Sequence, residues 1–508
     1  MRIDLDRALI LAAAWAIFLI CCVCPIAWML IDGAGSGLRQ AIDTLAAARQ
    51  RVLLTETLVL GCGAAIGALG IGLPVGIVLS RCEPARSTLQ RMALIVPLAL
   101  PPYVLALAWI LIAERAGWQV YTLPAAAGVL GFSLFPIVML ATEAAVRAIS
   151  SRLEEAARLV ASPWRVWSRI IVPLIAPPVA ASLLIVFVLA ISDFAVPSML
   201  RTRVYTTEVF TAFSALYDFR RATLLALPLA LMAAVAAMVA FRLSPSFTAR
   251  LQRGQSGIVW KRSRQQIGLA ILGLAGIGVI MLPIGAVVVE AGGRALFADA
   301  ASIDAIQNGV VWSVSAATLV VIVGALLGYW RSRAPSSAAD AMEVLWIMLF
   351  ALPATIIGIG VIRIWNRPGF LGAVYRSDTI VVITYVARFL PVAGLLCSAF
   401  LRRVPSSIEE AAKLAGASWL RSFRRIVAPV AARGFAAVWL IMFILMVGDV
   451  PLSILVAPPG ESNLAVRAFT LMANSPVRDV ARIALVQILL SVLPVAALAL
   501  LISRVGRR

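Results

Sequence analysis

A chain of 508 residues that is 62% hydrophobic, with a mean hydropathy of +0.99, has too little polar surface to be a soluble globule and reads as a polytopic membrane protein. A formal charge of +20 would point a soluble protein toward nucleic acid, but here the Arg residues sit in short segments between apolar runs, where they set membrane orientation. The lack of His excludes His-based catalysis, proton relays and His metal ligation, and the six Cys show neither zinc nor disulfide spacing.

The first apolar run, near 8–31, is too long for a cleavable signal peptide and lacks a small-residue cleavage site, so a retained first helix is expected. Five further spans are predicted near 53–80, 92–113, 122–146, 174–200 and 221–242. A polar, basic stretch at 246–266 reads as a cytoplasmic linker. Six more spans follow near 267–290, 309–330, 341–363, 379–400, 430–456 and 480–503. Each needs roughly 20 apolar residues. The expected fold is all-α, with about twelve transmembrane helices in two parallel six-helix repeats, residues 1–245 and 267–508. Placing the N-terminus, the even-numbered loops and the C-terminus in the cytoplasm puts the larger share of Lys and Arg inside. Arg201, Arg203, Arg220 and Arg221 fall outside and run against that excess.

The repeat is visible residue by residue. Gly72, Gly76 and Arg81 match Gly324, Gly328 and Arg333, and Leu100-Pro101 matches Leu352-Pro353, all at an offset of 252. Phe135-Pro136 matches Leu390-Pro391 and Glu155 matches Glu410 at 255, while Phe187, Leu189 and Asp193 match Phe443, Leu445 and Asp449 at 256. The same number of spans precedes each match, so the halves are related by an axis along the membrane normal. The glycine pairs fit small-xxx-small helix packing.

Each half carries one polar loop, near 151–173 and 406–429. The first reads Ser151-Arg-Leu-Glu154-Glu155-Ala156-Ala157-Arg158 and runs to Pro173; the second reads Ser406-Ser-Ile-Glu409-Glu410-Ala411-Ala412-Lys413 and runs to Pro429. Ser151 and Ser406, each three residues before a Glu, predict capping boxes. Glu-Ala-Ala continues a short helix, since Ala is the best helix former and lets another backbone approach. Gly416 suits a left-handed helix end, and Ser418, like Ser162 before Pro163, suits the start of a second short helix. Pro173 and Pro429 are expected to end those second helices. A polar element repeated in matching places suggests a docking surface for a soluble protein rather than a mere connector.

These loops resemble the Glu-Ala-Ala motif of binding-protein-dependent ABC importer permeases, the MetI-like family: Glu-Ala-Ala, three residues, Gly, then about a dozen residues to a Pro. The second loop fits; the first is one residue short, its Gly missing after Val160. The resemblance covers nearly the whole chain, and the fused two-module form is similar to ferric-iron and thiamine permeases. Pro97-Leu-Ala-Leu-Pro101-Pro-Tyr, Ile191-Ser-Asp193-Phe-Ala-Val-Pro197 and Leu352-Pro353-Ala-Thr-Ile-Ile-Gly358 look more like the iron branch. The resemblance implies a permease subunit of the bacterial inner membrane. Its coupling residues would be Glu154, Glu155, Ala156, Ala157, Glu409, Glu410, Ala411, Ala412 and Gly416. It also implies two cytoplasmic ATPase subunits and a periplasmic solute-binding protein as partners. The chain has no GxxxxGK[ST] loop, so ATP and Mg are expected in the partner subunits, with no cofactor held by this chain. The missing Gly leads to the expectation that the second loop makes the stronger ATPase contact.

For the translocation path, the candidates are Asp193, Asp449, Pro101 and Pro353. The two acids read either as a cation-tolerant rim or as polar helix ends bonded to backbone. The prolines, with Pro102, are expected to bend or break their spans. Arg388 lies within the tenth span, where it is expected to snorkel or to pair with a partner, with no substrate role assigned. Ferric ion is the expected substrate, with thiamine, polyamines and phosphonates as alternatives. The rival classes are an ion-coupled secondary transporter, which needs no twin Glu-Ala-Ala loops, and a membrane-embedded enzyme, for which no catalytic cluster is present.

Overall fold

The computed structural model describes residues 5–34, 47–83, 87–243, 262–292 and 300–503, and among them every regular element is helical. The predicted linker 246–266 lies outside the described residues, except for 262–266, which already belong to a helix. Among the described residues ten helices are long and apolar enough to cross a membrane, and counting each of two bent pairs as one span brings the number to twelve, as the apolar runs predict.

The first half contains α1 (Asp6–Met29), α2 (Ala48–Arg81), the bent pair α3 (Thr88–Ala99) and α4 (Pro102–Ala116), and α5 (Leu123–Arg147). The loop helix α6 (Ser151–Val160), α7 (Pro163–Ser192), α8 (Ala195–Met199), α9 (Tyr205–Ser214) and α10 (Phe219–Leu243) complete it. The second half repeats the order with α11 (Ser263–Ala291), α12 (Ala300–Arg333), the bent pair α13 (Ser337–Ala351) and α14 (Ala354–Trp365), the short α15 (Phe370–Tyr375) and α16 (Thr379–Leu401). Then come the loop helix α17 (Ser406–Leu414), α18 (Trp419–Val447), α19 (Ser453–Val456), α20 (Leu464–Asn474) and α21 (Val477–Ala497).

The bends are the work of the paired Leu-Pro steps. A residue before proline is driven out of helical geometry, and Leu100 and Leu352 are both extended, with ψ of 133° and 136°. Pro101 and Pro353 then open the next helix, turned by 92° in the first half and 93° in the second.

Two expectations about the loops are corrected. Pro173 and Pro429 do not end short helices: α7 and α18 run unbroken from the loop into the membrane. Each passes through a π-helical turn, Trp167–Ile171 and Phe423–Val427, and the proline follows where the widened turn absorbs its missing N–H. Nor do the capping boxes form. Ser151 and Ser406 already lie inside their helices, which begin after Ser150 and Pro405 with no side-chain cap, because Glu154 and Glu409 are drawn to arginines elsewhere in the fold.

Within each half, α2 packs on α5 and α12 on α16 through the matched glycines. A Cβ on Gly76 would lie 2.5 Å from the Met139 carbonyl, and one on Gly328 would lie 2.8 Å from Ser398 N. The cores are not confined to the sequence halves. The α1 residues Ala14, Phe18 and Cys22 are buried with Trp346, Tyr385 and Leu390 of the second half, whereas Leu272 and Val287 of α11 are buried with Leu105 and Leu130 of the first. Helix α10 likewise joins the second core and α21 the first. The opening and closing helices of each half are thus exchanged, which interlocks the two repeats.

Candidate functional site

The two loops are held by matching ion pairs. Arg81, the last residue of α2, donates from Nη1 to Glu154 Oε2 at 2.9 Å and from Nη2 to Oε1 at 3.1 Å, and both side chains are 2% exposed. Arg158 adds a bond of 2.7 Å from the next turn, and the Arg81 guanidinium lies 5.4 Å from the Trp167 ring centre. In the second half Arg333, the last residue of α12, pairs with Glu409 Oε1, whose other oxygen accepts from Tyr329 OH at 2.6 Å.

A step of one residue rotates a helical side chain by about 100°. The first Glu of each pair therefore turns inward and the second outward: Glu155 and Glu410 are exposed. Ala156 and Ala411 are exposed as well, while Ala157 is packed against the chain and Ala412 is half-buried. Gly416 ends α17 with φ of +81°, the left-handed conformation expected of it. The first loop, without that Gly, leaves its helix through an extended Ala161. Ser418 caps α18 by accepting from Arg421 N at 3.4 Å; Ser162 stands at the same place before Pro163 without a side-chain cap bond.

Asp193, Asp449 and Pro101 are brought together at a cavity of about 200 Å³ between the halves; Pro353 is not among its lining residues. Much of the wall is made of repeat equivalents: Leu98 with Phe350, Leu189 with Leu445, Asp193 with Asp449, and Ser133 with Arg388. Both acids are polar helix ends bonded to backbone, and both line the cavity. Asp193 Oδ1 accepts from Val196 N at 2.8 Å and Asp449 Oδ1 from Leu452 N at 2.9 Å, so each carboxylate ties the turn after its span while facing the cavity. The main-chain oxygens of the same two residues accept from Thr206 Oγ1 at 2.9 Å and from Asn463 Nδ2 at 3.4 Å.

Arg388, expected to snorkel or pair and given no substrate role, is the basic residue of the cavity wall. It is buried, donates to the Leu352 carbonyl at the α13–α14 bend at 3.2 Å, and lies 5.8 Å from the ring centres of Phe350 and Phe389. It lines the same cavity as both carboxylates. A lone Arg in an apolar run was the signal in the sequence; the repeat position occupied by Ser133 showed that only one half carries it. A buried network beside Asp449 was not foreseen: Asn463 Nδ2 donates to Ser453 Oγ at 2.9 Å and to Tyr385 OH at 3.2 Å. Among the described residues no cluster of three or more His, Cys, Asp or Glu could hold a metal ion. Burial pushes the Cys82 thiol above its ordinary range, against the pull of Arg147.

Comparison with known proteins agrees with this geometry. The sequence profile of the family described as "Binding-protein-dependent transport system inner membrane component" matches twice, over residues 72–253 and 320–507. The chain is 22% identical to the Fe(3+)-transport system permease protein FbpB 2 of Haemophilus influenzae, over 93% of this chain and 94% of that protein. It is 24% identical to the ferric transport system permease protein FbpB of Actinobacillus pleuropneumoniae, over 79% of this chain and 64% of that one. The spermidine/putrescine transport system permease protein PotC of Haemophilus influenzae is 26% identical over 41% of this chain and 79% of its own length. With two matches that together span most of its length, the chain belongs to the binding-protein-dependent transport system inner membrane components, and it is a fused, two-module ABC importer permease of a multi-span membrane type.

Proposed function

We propose that the chain forms the inner-membrane path of a ferric-iron importer, receives its cargo from a periplasmic binding protein, and is driven by two cytoplasmic ATPase subunits, one on each Glu-Ala-Ala helix. ATP and Mg belong to those subunits, and both termini lie in the cytoplasm. The observation that carries the reading is the paired construction of α6 and α17. Each presents an outward Glu and Ala to a partner and is pinned by its inward Glu to the end of an equivalent spanning helix.

The continuity of α7 and α18 supplies the mechanism. Each is a rod of 30 or 29 residues, about 45 Å at the α-helical rise. It starts at the loop and ends within two residues of Asp193 or Asp449. When the ATPases close on ATP, they draw α6 and α17 together. The rods carry that displacement to the cavity, where the carboxylate-tied turns α8 and α19 separate or approach. The two carboxylates lower the barrier for a cation, and Arg388 balances part of their charge when the path is empty.

The test has two arms. The wild-type chain and a Glu155→Arg/Glu410→Arg variant are tagged and pulled down from native membranes; the wild type recovers a soluble ATPase and the double variant does not. Uptake of labelled ferric ion is then compared in iron-limited cells with and without the gene, and equal uptake overturns the iron assignment. A polyamine is the second reading, favoured by the two cavity carboxylates and by the likeness to PotC. Competition of labelled spermidine uptake by ferric ion separates the two.

A further inference from the structure

Both loops place a Trp just after the Ser that opens the long rod, but not at the same position. Ser162 and Ser418 are equivalent, as are the π turns Trp167–Ile171 and Phe423–Val427, all at an offset of 256. In this register Pro163 matches Trp419, and Trp164 matches Leu420. The one-residue displacement turns the indole through about 100°. Trp419 is 8% exposed, stacked on Phe423 at 5.5 Å and edge-on to Tyr329 at 5.7 Å. Trp164 is 79% exposed.

The apolar surface beside it follows the same division. Leu159 and Val160, at the end of α6, are each 87% exposed. Their counterparts are Leu414, the last residue of α17 and 91% exposed, and the single methyl of Ala415 just after it. The first loop therefore offers a cluster of Leu159, Val160 and Trp164 where the second offers one leucine. A bare cluster of this kind, beside a helix that already carries an outward Glu-Ala, marks a contact surface. A Trp at the centre of such a surface is the residue type that dominates binding energy.

We infer that the two ATPase sockets are unequal and that the first loop, through Trp164 with Leu159 and Val160, makes the tighter, more apolar contact with its ATPase subunit. This rests on the proposed function above, and it reverses the order expected from the missing Gly. The occupant is the ATPase because the cluster continues the exposed face of α6. The alternative occupant, the lipid headgroup layer, is an outcome of the test.

The full-length permease is placed in nanodiscs and titrated with the ATPase subunit recovered with the wild-type chain. The variants are Trp164→Ser, the double change Pro163→Trp/Trp164→Leu that gives the first loop the second loop's order, and Leu414→Ser. The tighter of two binding phases weakens roughly tenfold in Trp164→Ser and in the double variant, and Leu414→Ser affects only the weaker phase. Melting temperatures of the nanodisc-held permease stay at the wild-type value for Trp164→Ser, because that ring has little to pack on. Wild-type affinity in Trp164→Ser overturns the inference and leaves the ring to lipid headgroups, with the proposed function intact. Failure of the wild type to bind any ATPase overturns both.

Discussion

Arg81 and Glu154, 73 positions apart in sequence, meet through two parallel hydrogen bonds in a site sealed from solvent. Glu154 has a second, part-exposed partner in Arg158 at 2.7 Å, which compensates part of its charge when Arg81 is lost. Removing one partner of a buried pair costs up to about 3–5 kcal/mol where the remaining charge is uncompensated, whereas replacing both by apolar residues can be nearly neutral. Arg81→Met is expected to lower the detergent-solubilised melting temperature sharply, and Arg81→Met/Glu154→Met to recover most of the loss. Arg333→Met should cost less, since its pair with Glu409 is partly open to water. Melting curves of the three variants check this order.

Asparagine at the two cavity aspartates is expected to separate folding from transport. Asparagine keeps an acceptor oxygen for Val196 N or Leu452 N but removes the charge. Asp193→Asn and Asp449→Asn should therefore melt near wild type while cation uptake falls strongly. The Ala variants should lose uptake and, in addition, about 1 kcal/mol of stability each through the lost cap. Parallel melting and uptake measurements decide it; full uptake in both Asn variants would remove the carboxylates from the path.

Gly448 lies at the same cavity, where a Cβ would sit 2.3 Å from Pro101 Cγ. A proline ring at a helix start cannot swing aside, so Gly448→Ala should force the halves apart at a cost of about 1–3 kcal/mol. Lower thermal stability together with altered transport is the expected result. Gly358→Ala is the control, because its closest neighbour is the end of the flexible Leu455 side chain.

At Gly416 the cost is conformational alone. With φ of +81° and no heavy atom near an added Cβ, Gly416→Ala should destabilise the second loop by about 1–2 kcal/mol without a clash. ATP hydrolysis driven by the assembled complex should weaken more than the permease's melting point moves. Hydrogen exchange over 406–418, compared with 151–162, measures the local loosening.

The composition, the matched residues of the two halves and the Glu-Ala-Ala loops were legible in the sequence. Class, span number, broken helices and family all follow from apolar length, Leu-Pro steps and two polar segments that stand out against an apolar background. The tertiary structure decided what lies inside that background. Residues facing lipid and residues facing the core are equally apolar in a spanning helix, so periodicity cannot say that α1 is buried in the second half's core and α11 in the first. Local pattern likewise pointed Glu154 to Ser151, whereas a distant arginine offered a stronger, charge-assisted partner. Whether a Trp is exposed or core rests on one helical step, at Trp164 and Trp419, and on whether a Tyr329 stands opposite to receive it. A sequence read along the chain records the step but not what stands across from it.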